Sequence, residues 1–420
     1  MSRVITAHHG RGRTRVIRPL AVTSLVLGLV VAAPQTAATA TETGAAPEAA
    51  ALLEAGRVHL QNRADLVTTS ANTARIGRAQ AAMTPPMAAG LQREAVALAE
   101  RGDLLESVNG GYRAAEVSVT AEHVYVYVNG NQAVVDLTED TKLYFPTVAP
   151  GEPEYEEYSL PHTLTYTRDS ASGSWLLSKD APKIDPNGPA PTTQFAQPAP
   201  IPFTEPPFKP NPAEQGPNPP EPPQPEPPKG VPPASTVGGP ASGTDPKASA
   251  GIGAPAQMSA AASYNYTAMA NYADRYWRNH NGSYRTYSSA CTNFISQAMR
   301  AGGWGTTSGS ASSRADNRKW FYGSFSWTTS YTWAGAENWW WFASRHSGRT
   351  YMLNSPWRLG MADVLQADWD RNDVVDHTMI VTAVGGSERY LTYRSNSTHN
   401  RKLSSLLASN PHAWFYPHRT

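Results

Sequence analysis

The chain has 420 residues, with 35 Lys plus Arg against 34 Asp plus Glu and a formal net charge of +1. That length is a prior for two or three folded units, each with material for a core. The balanced charge supplies no field to hold a polyanion, which argues against nucleic acid or an acidic membrane surface as partner.

The first stretch carries Arg3, Arg11, Arg13, Arg15 and Arg18 without an acid, followed by the apolar run LAVTSLVLGLVVAA over residues 20–33 and by Ala38-Thr39-Ala40. A basic start, a short apolar run and a small-x-small end are the parts of a secretory signal peptide. The run is short of the ~20 residues that a membrane-spanning helix needs. The expectation is a signal peptide over 1–40 and a secreted, extracellular protein starting near Thr41, with no stable membrane insertion once the signal is cleaved. Structural cysteines come in pairs in an oxidising compartment, yet Cys291 is the single cysteine. It is an inert buried residue, a nucleophile, or a link between two chains.

Residues 41–181 read as a small α+β unit. Apolar positions recur at helical spacing over 47–107, interrupted by Pro85-Pro86. From Arg113 the period becomes two, on either side of Asn129-Gly130-Asn131, with further strands at Thr163–Thr167 and Ser174–Leu177. Helices followed by an antiparallel meander are similar in outline to nuclear-transport-factor-like and cystatin-like domains. The unit lacks a cluster of acids, histidines or glycines that demands chemistry, and a spacer or recognition role is expected. Residues 182–258 read as an extended, disordered tether, because 24 of the 36 prolines fall between Pro182 and Pro255 and such a composition forms neither helix nor sheet.

Residues 259–420 form the second folded unit and hold eleven of the twelve tryptophans. A helix is predicted over 264–280, with Met269, Tyr272, Ala273 and Tyr276 on one face. A second helix follows a loop, with Ser288 or Ser289 as its N-cap, Cys291 in its first turn, Phe294, Ala298 and Met299 as its buried stripe, and Gly302-Gly303 at its end. Unpaired N–H groups and the positive end of the helix dipole at that first turn lower a thiol's pKa, so a resting thiolate is expected. His377 opens a predicted strand, HTMIVTAV, and a helix-borne Cys facing a strand-borne His is a thiolate–imidazole arrangement. Asp368, Asp370 and Asn372, with Asp376 beyond, have the spacing of the first half of a calcium loop but lack its glycine and its closing glutamate, which favours a solvated turn. Trp339, Trp340 and Trp341 cannot all face one way, so at least one is expected to border a groove or the surface.

CTNFISQAMRAGGW, the preceding YNYTAMANYADRYW, and ADVLQADWDRNDVVDHTMIVTAV together resemble the bacterial amidase domain family, secreted relatives of the CHAP and papain-like cysteine hydrolases. The resemblance covers about residues 262–416. It implies a papain-like C-terminal fold, a helix-borne Cys against an antiparallel sheet, with Cys291 as nucleophile and His377 as base. It further implies a third group from the strand after the histidine, for which Asn396 is the candidate, with Ser395 and His399 behind it. Asn293 and Gln297 match the family motif and are read as site-shaping hydrogen-bonders, or as residues that only fix the local loop. Tyr287 is a candidate second oxyanion donor beside the Cys291 N–H. The family's acid just before the cysteine is replaced here by Ala290. The expected activity is hydrolysis of amide bonds in peptidoglycan or a peptide through an acyl-enzyme, with no metal or cofactor required. A non-catalytic wall-binding module on a proline stalk and an amide transferase using the same site stand as alternatives.

Overall fold

The computed structural model describes residues 45–69, 82–126, 130–195 and 264–420. The expected signal peptide, and the tether beyond residue 195, lie outside the described residues, as does Asn129 of the expected turn. Among the described residues no helix is long and apolar enough to cross a membrane.

Both units combine helices with antiparallel sheet, so the α+β expectation holds. In the first, α1 (Ala45–Asp65) and α2 (Pro85–Asn109) pack on the meander of β1 (Ala114–Val126), β2 (Gln132–Tyr144), β3 (Tyr155–Arg168) and β4 (Trp175–Pro182). Pro85 begins α2, where its missing N–H costs nothing, and Gly110 closes it in the left-handed conformation at φ 84°. Alternation along β2 and β3 turns Val135, Leu137, Leu164 and Tyr166 towards Leu52, Leu60 and Leu91 of the helices.

In the second unit, α3 (Tyr266–Tyr276) is capped by Asn265, whose side chain accepts from the Ala268 N–H. It packs on α4 (Cys291–Ala301), whose residues 291–299 are all buried. Two short helices follow, α5 (Tyr331–Ala334) and α6 (Ala336–Trp341). The strands are β5 (Tyr351–Met352), β6 (Val364–Asp368), β7 (His377–Gly385), β8 (Glu388–Tyr393), β9 (Thr398–Lys402) and β10 (Trp414–Arg419), with α7 (Leu403–Ser409) between β9 and β10. Gly302 is set by packing: a Cβ there would lie 2.2 Å from the Met269 side chain.

The two units share one sheet, in the order β1-β2-β3-β9-β8-β7-β6-β10-β5, with β4 also on β3. The join is Glu157↔His399 and Tyr158↔Thr398 between β3 and β9. Arg278 pairs with Asp140 across it, and Asn109 donates to the hydroxyls of Ser404 and Ser405 at 2.7 and 2.8 Å. Order does not stop at residue 182, where the tether was expected to begin. Residues 183–195 continue from β4 as a strap over both units, and residues 187–189 and 191–194 are buried.

Most of the tryptophans of the second unit fill cores. Trp304, Trp320, Trp333 and Trp339 interlock with Phe294, Ile295 and Phe342 between α4 and the sheet, with the Trp320 and Trp333 rings stacked at 4.7 Å. Trp340 and Trp341 pack in a separate cluster with Met352, Val375 and Tyr416. All three of the consecutive tryptophans are therefore buried, contrary to the expectation that one would reach a groove. Helix α6 sits between two apolar clusters, which consume both of its sides.

Candidate functional site

Cys291 is the first residue of α4 and is 2% exposed. The N-cap is Ala290, with no side-chain cap, so neither Ser288 nor Ser289 caps the helix as expected. The sulfur has the Thr292 hydroxyl at 3.7 Å and the Ser289 hydroxyl at 4.0 Å. Burial raises the thiol pKa above its ordinary value. The Thr292 hydroxyl opposes this, the Asp185 charge adds to it, and the Thr378 backbone and Ser289 oppose it again. Burial at this helix start thus favours the neutral thiol, opposite to the resting thiolate expected.

A polar chain runs inward from the cysteine. Thr292 Oγ1 and Thr378 Oγ1 lie 2.9 Å apart, Gln366 donates to Thr378 at 2.9 Å, and His418 Nε2 meets Gln366 Oε1 at 3.1 Å. This chain ties α4 to β7, β6 and β10. Gln366 and Thr378 were not singled out in the sequence, although a glutamine in the middle of the apolar strand VLQAD was the available signal.

His377 starts β7 and is 0% exposed. Side chains alternate along a strand. Thr378 and Ile380 face α4 and its core, while Met379 and Val381 face the opposite cluster under α7. His377 shares their face, its ring 6.0 Å from Trp369 and 5.3 Å from Tyr393. Neither ring nitrogen has a hydrogen-bond partner of regular geometry among the described residues, although the Asn187 backbone lies near enough to act on the ring. The anticipated thiol–imidazole hydrogen bond is therefore not formed in this structure. The strand brings residue 378, not residue 377, onto the cysteine. Burial pushes the His377 pKa down to about 3, with the Asn187 backbone acting weakly the other way, so the ring is a neutral imidazole.

The remaining expected site residues serve the scaffold. Asn396 lies beyond β8, in a turn where it has φ 64° and Ser395 has φ 69°. Its amide donates to the carbonyls of Asp185, Gly188 and Pro189 and accepts from the Asp185 N–H. It does not orient His377, because the strap takes its hydrogen bonds. Asn293 donates to the Arg285 carbonyl and accepts from the Trp333 indole, and Gln297 accepts from the Tyr272 hydroxyl at 2.5 Å. Both fix local structure, one of the two roles open to them. The Tyr287 hydroxyl accepts from Arg285 at 3.2 Å. His399 bonds Asp274 and stacks on Trp277.

The 368–376 loop forms a self-bonded turn. Asp368 accepts from the Asn372 and Asp373 N–H groups, and Asp376 from the Trp369 N–H. The carboxylates of Asp368, Asp370 and Asp376 lie within 4.8 Å of one another. Burial and mutual repulsion push Asp368 up to about 7, and burial pushes Asp376 up to about 6. The exposed aromatic surface lies elsewhere: Phe325 and Trp327, each 58% exposed, stack at 5.5 Å on a loop that Arg285 holds through the Gly323 carbonyl and the Thr329 hydroxyl.

The sequence over residues 263–417 matches the family described as "Putative amidase domain". That match, over the unit that carries Cys291 and His377, supports a hydrolase acting on amide bonds. The chain is also similar to the "Uncharacterized protein YhbB" of Bacillus subtilis (strain 168), at 30% identity over 123 residues, which are 29% of this chain and 37% of that protein. The chain thus spans little over a third of that relative's length.

Proposed function

We propose that the protein is a secreted cysteine amidohydrolase that cleaves amide bonds in peptidoglycan, with Cys291 as nucleophile and His377 as base in a papain-like C-terminal unit. The observation that carries this reading is the coincidence of the amidase-domain match with a helix-initial cysteine clamped, through Thr292 and Thr378, to the start of the strand that opens with His377. In the reaction, neutral His377 takes the thiol proton as sulfur attacks the amide carbonyl, then gives it to the leaving amine. The Cys291 backbone N–H supports the oxyanion, and water releases the acyl group. The reaction needs His377 to leave the Trp369–Tyr393 face and meet the sulfur, so the described arrangement is a resting one. The N-terminal pattern of basic, apolar and small residues supports secretion.

A second reading, a non-catalytic wall-binding module, is favoured by one observation: sulfur and imidazole are both sealed and share no hydrogen bond. Digestion of purified peptidoglycan, read by mass spectrometry of the released muropeptides, separates the two. New free amine and carboxyl ends with wild type, and none with Cys291→Ala or His377→Ala, support the hydrolase. Wall binding without cleavage by any form of the protein supports the module. Products joined to an added amine would indicate transfer in place of hydrolysis.

A further inference from the structure

The strap bonds to Trp369, whose ring flanks His377, and Asp185 at its start bears electrostatically on Cys291. Its first turn, Asp185-Pro186-Asn187-Gly188, closes on itself through Asn187 N–H to Asp185 Oδ1 at 2.9 Å and Gly188 N–H to the Asp185 carbonyl at 3.2 Å. Asn396 grips the turn with three hydrogen bonds, and Pro189 just after it with a fourth, at 2.7–3.2 Å. Trp369, whose ring flanks His377, donates its indole N–H to the Asn187 carbonyl at 2.9 Å. Arg401 donates to the Ala190 carbonyl at 3.0 Å. Farther along, Arg63 holds the Thr193 carbonyl at 2.9 Å and Arg101 holds those of Thr192 and Gln194 at 2.8 and 2.6 Å. The strap is thus pinned to the N-terminal unit at one end and to the His377 end of the C-terminal sheet at the other.

The fit at Gly188 is close. A Cβ added there would lie 2.2 Å from the Ser395 carbonyl oxygen and 3.0 Å from the Ser395 Cβ. Real Cβ atoms do not come that near, so the turn seats only with glycine at this position. Beside it, Pro186 and Ala190 of the strap face Trp369, Asp376 and Arg401 across a cavity of about 250 Å³, so the strap forms one wall of an open space next to Trp369.

From this geometry we infer that the Asp185–Gly188 turn is an intramolecular plug: it occupies the cleft beside His377, holds that residue against Trp369, and keeps the chain latent until the strap is displaced. The cleft walls at Trp369, Ser395 and Asn396 are then the surfaces that a substrate peptide contacts once the plug has left. The Asp185 charge near the sulfur acts in the same direction, raising the thiol pKa after the larger effects of burial and the opposing Thr292 hydroxyl. The inference rests on the reading of Cys291 and His377 as the reacting pair, but its test reads accessibility and does not require amide cleavage.

The test is the rate of Cys291 alkylation by iodoacetamide, followed by intact mass, in the full chain. Because Cys291 is the single cysteine, each adduct reports that site. Wild type should react slowly, and Gly188→Val should react at least tenfold faster while circular dichroism shows an unchanged fold. Asn396→Ala, which removes the grip and leaves Gly188 in place, should give the same direction of change. A synthetic peptide covering residues 183–195, added to Gly188→Val, should slow the reaction again. Rapid alkylation of wild type, or equal rates in the wild type and both folded variants, overturns the inference. If neither variant folds, hydrogen exchange on wild type decides: protected Asp185 and Gly188 amides support the plug, and free exchange overturns it. Accelerated alkylation with no muropeptide cleavage by the released variants would retain the plug and reject the amidase.

Discussion

Replacing Glu337 with Gln should stabilise the protein at alkaline pH and not at acid pH. Glu337 stands in the first turn of α6, with Oε1 accepting from the Trp341 indole at 2.6 Å and Oε2 from the Val375 N–H at 2.9 Å. It thereby latches α6 to the loop that leads into His377. Burial pushes its pKa up to about 7 from an ordinary 4.5, while the two donors resist and the charges of Asp376 and Asp373 add to the rise. A folded-state pKa above the unfolded value means that folding retains a proton, so stability is full below about pH 4.5 and is lost as pH rises towards and through 7. That rise corresponds to roughly 3 kcal/mol, most of which is lost between pH 5 and pH 8. Gln keeps one acceptor and loses the other, a constant cost of about 1 kcal/mol. Urea unfolding of wild type and Glu337→Gln at intervals from pH 5 to pH 8 should show the variant level with or below wild type at pH 5 and about 2 kcal/mol above it at pH 8. A stability difference that stays flat across that range would refute the claim that this carboxyl is held protonated by burial.

Three further outcomes follow from the same packing. The buried imidazoles of His377 and His418 both have pKa values pushed down to about 3, by burial in each case. Folding therefore favours the neutral forms, and stability is present above about pH 6.5 and lost as pH falls towards 3. Each imidazole should cost roughly 3 kcal/mol by pH 4.5, and His418→Gln should flatten the acid limb of the unfolding midpoint plotted against pH. Trp339→Ala, at a fully buried ring stacked 6.1 Å from Trp304, should cost about 3–5 kcal/mol in urea unfolding. Thr292→Val removes the hydroxyl that links α4 to β7 and leaves the Thr378 hydroxyl one partner short, which should cost about 1 kcal/mol; it should also change the pH at which Cys291 begins to alkylate in the strap-released Gly188→Val background.

Local order was legible in the chain because local interactions make it. The apolar spacing around Met269 and Phe294, the Gly302-Gly303 stop, the strand opening at His377 and the position of Cys291 at a helix start each depend on a few neighbouring residues. The sequence by itself also determined that one thiol sits in the amidase-like unit, and hence which sulfur any chemistry must use. The tertiary structure decided which face of the sheet receives His377. That depends on strand phase, and a change of one residue sends a side chain to the other side. It decided as well that Asn396 falls in a left-handed turn past β8, so its amide meets the strap and not the imidazole. Finally, it decided that Asp185 to Gly188, inside a proline-rich run with no periodicity to read, packs onto Trp369 and Asn396, 182 and 208 residues away in sequence from Asn187 and Gly188 respectively. A turn's own residues dictate its shape but not the surface it lands on. That landing place arises from hydrogen bonds and close contacts with residues remote in the chain.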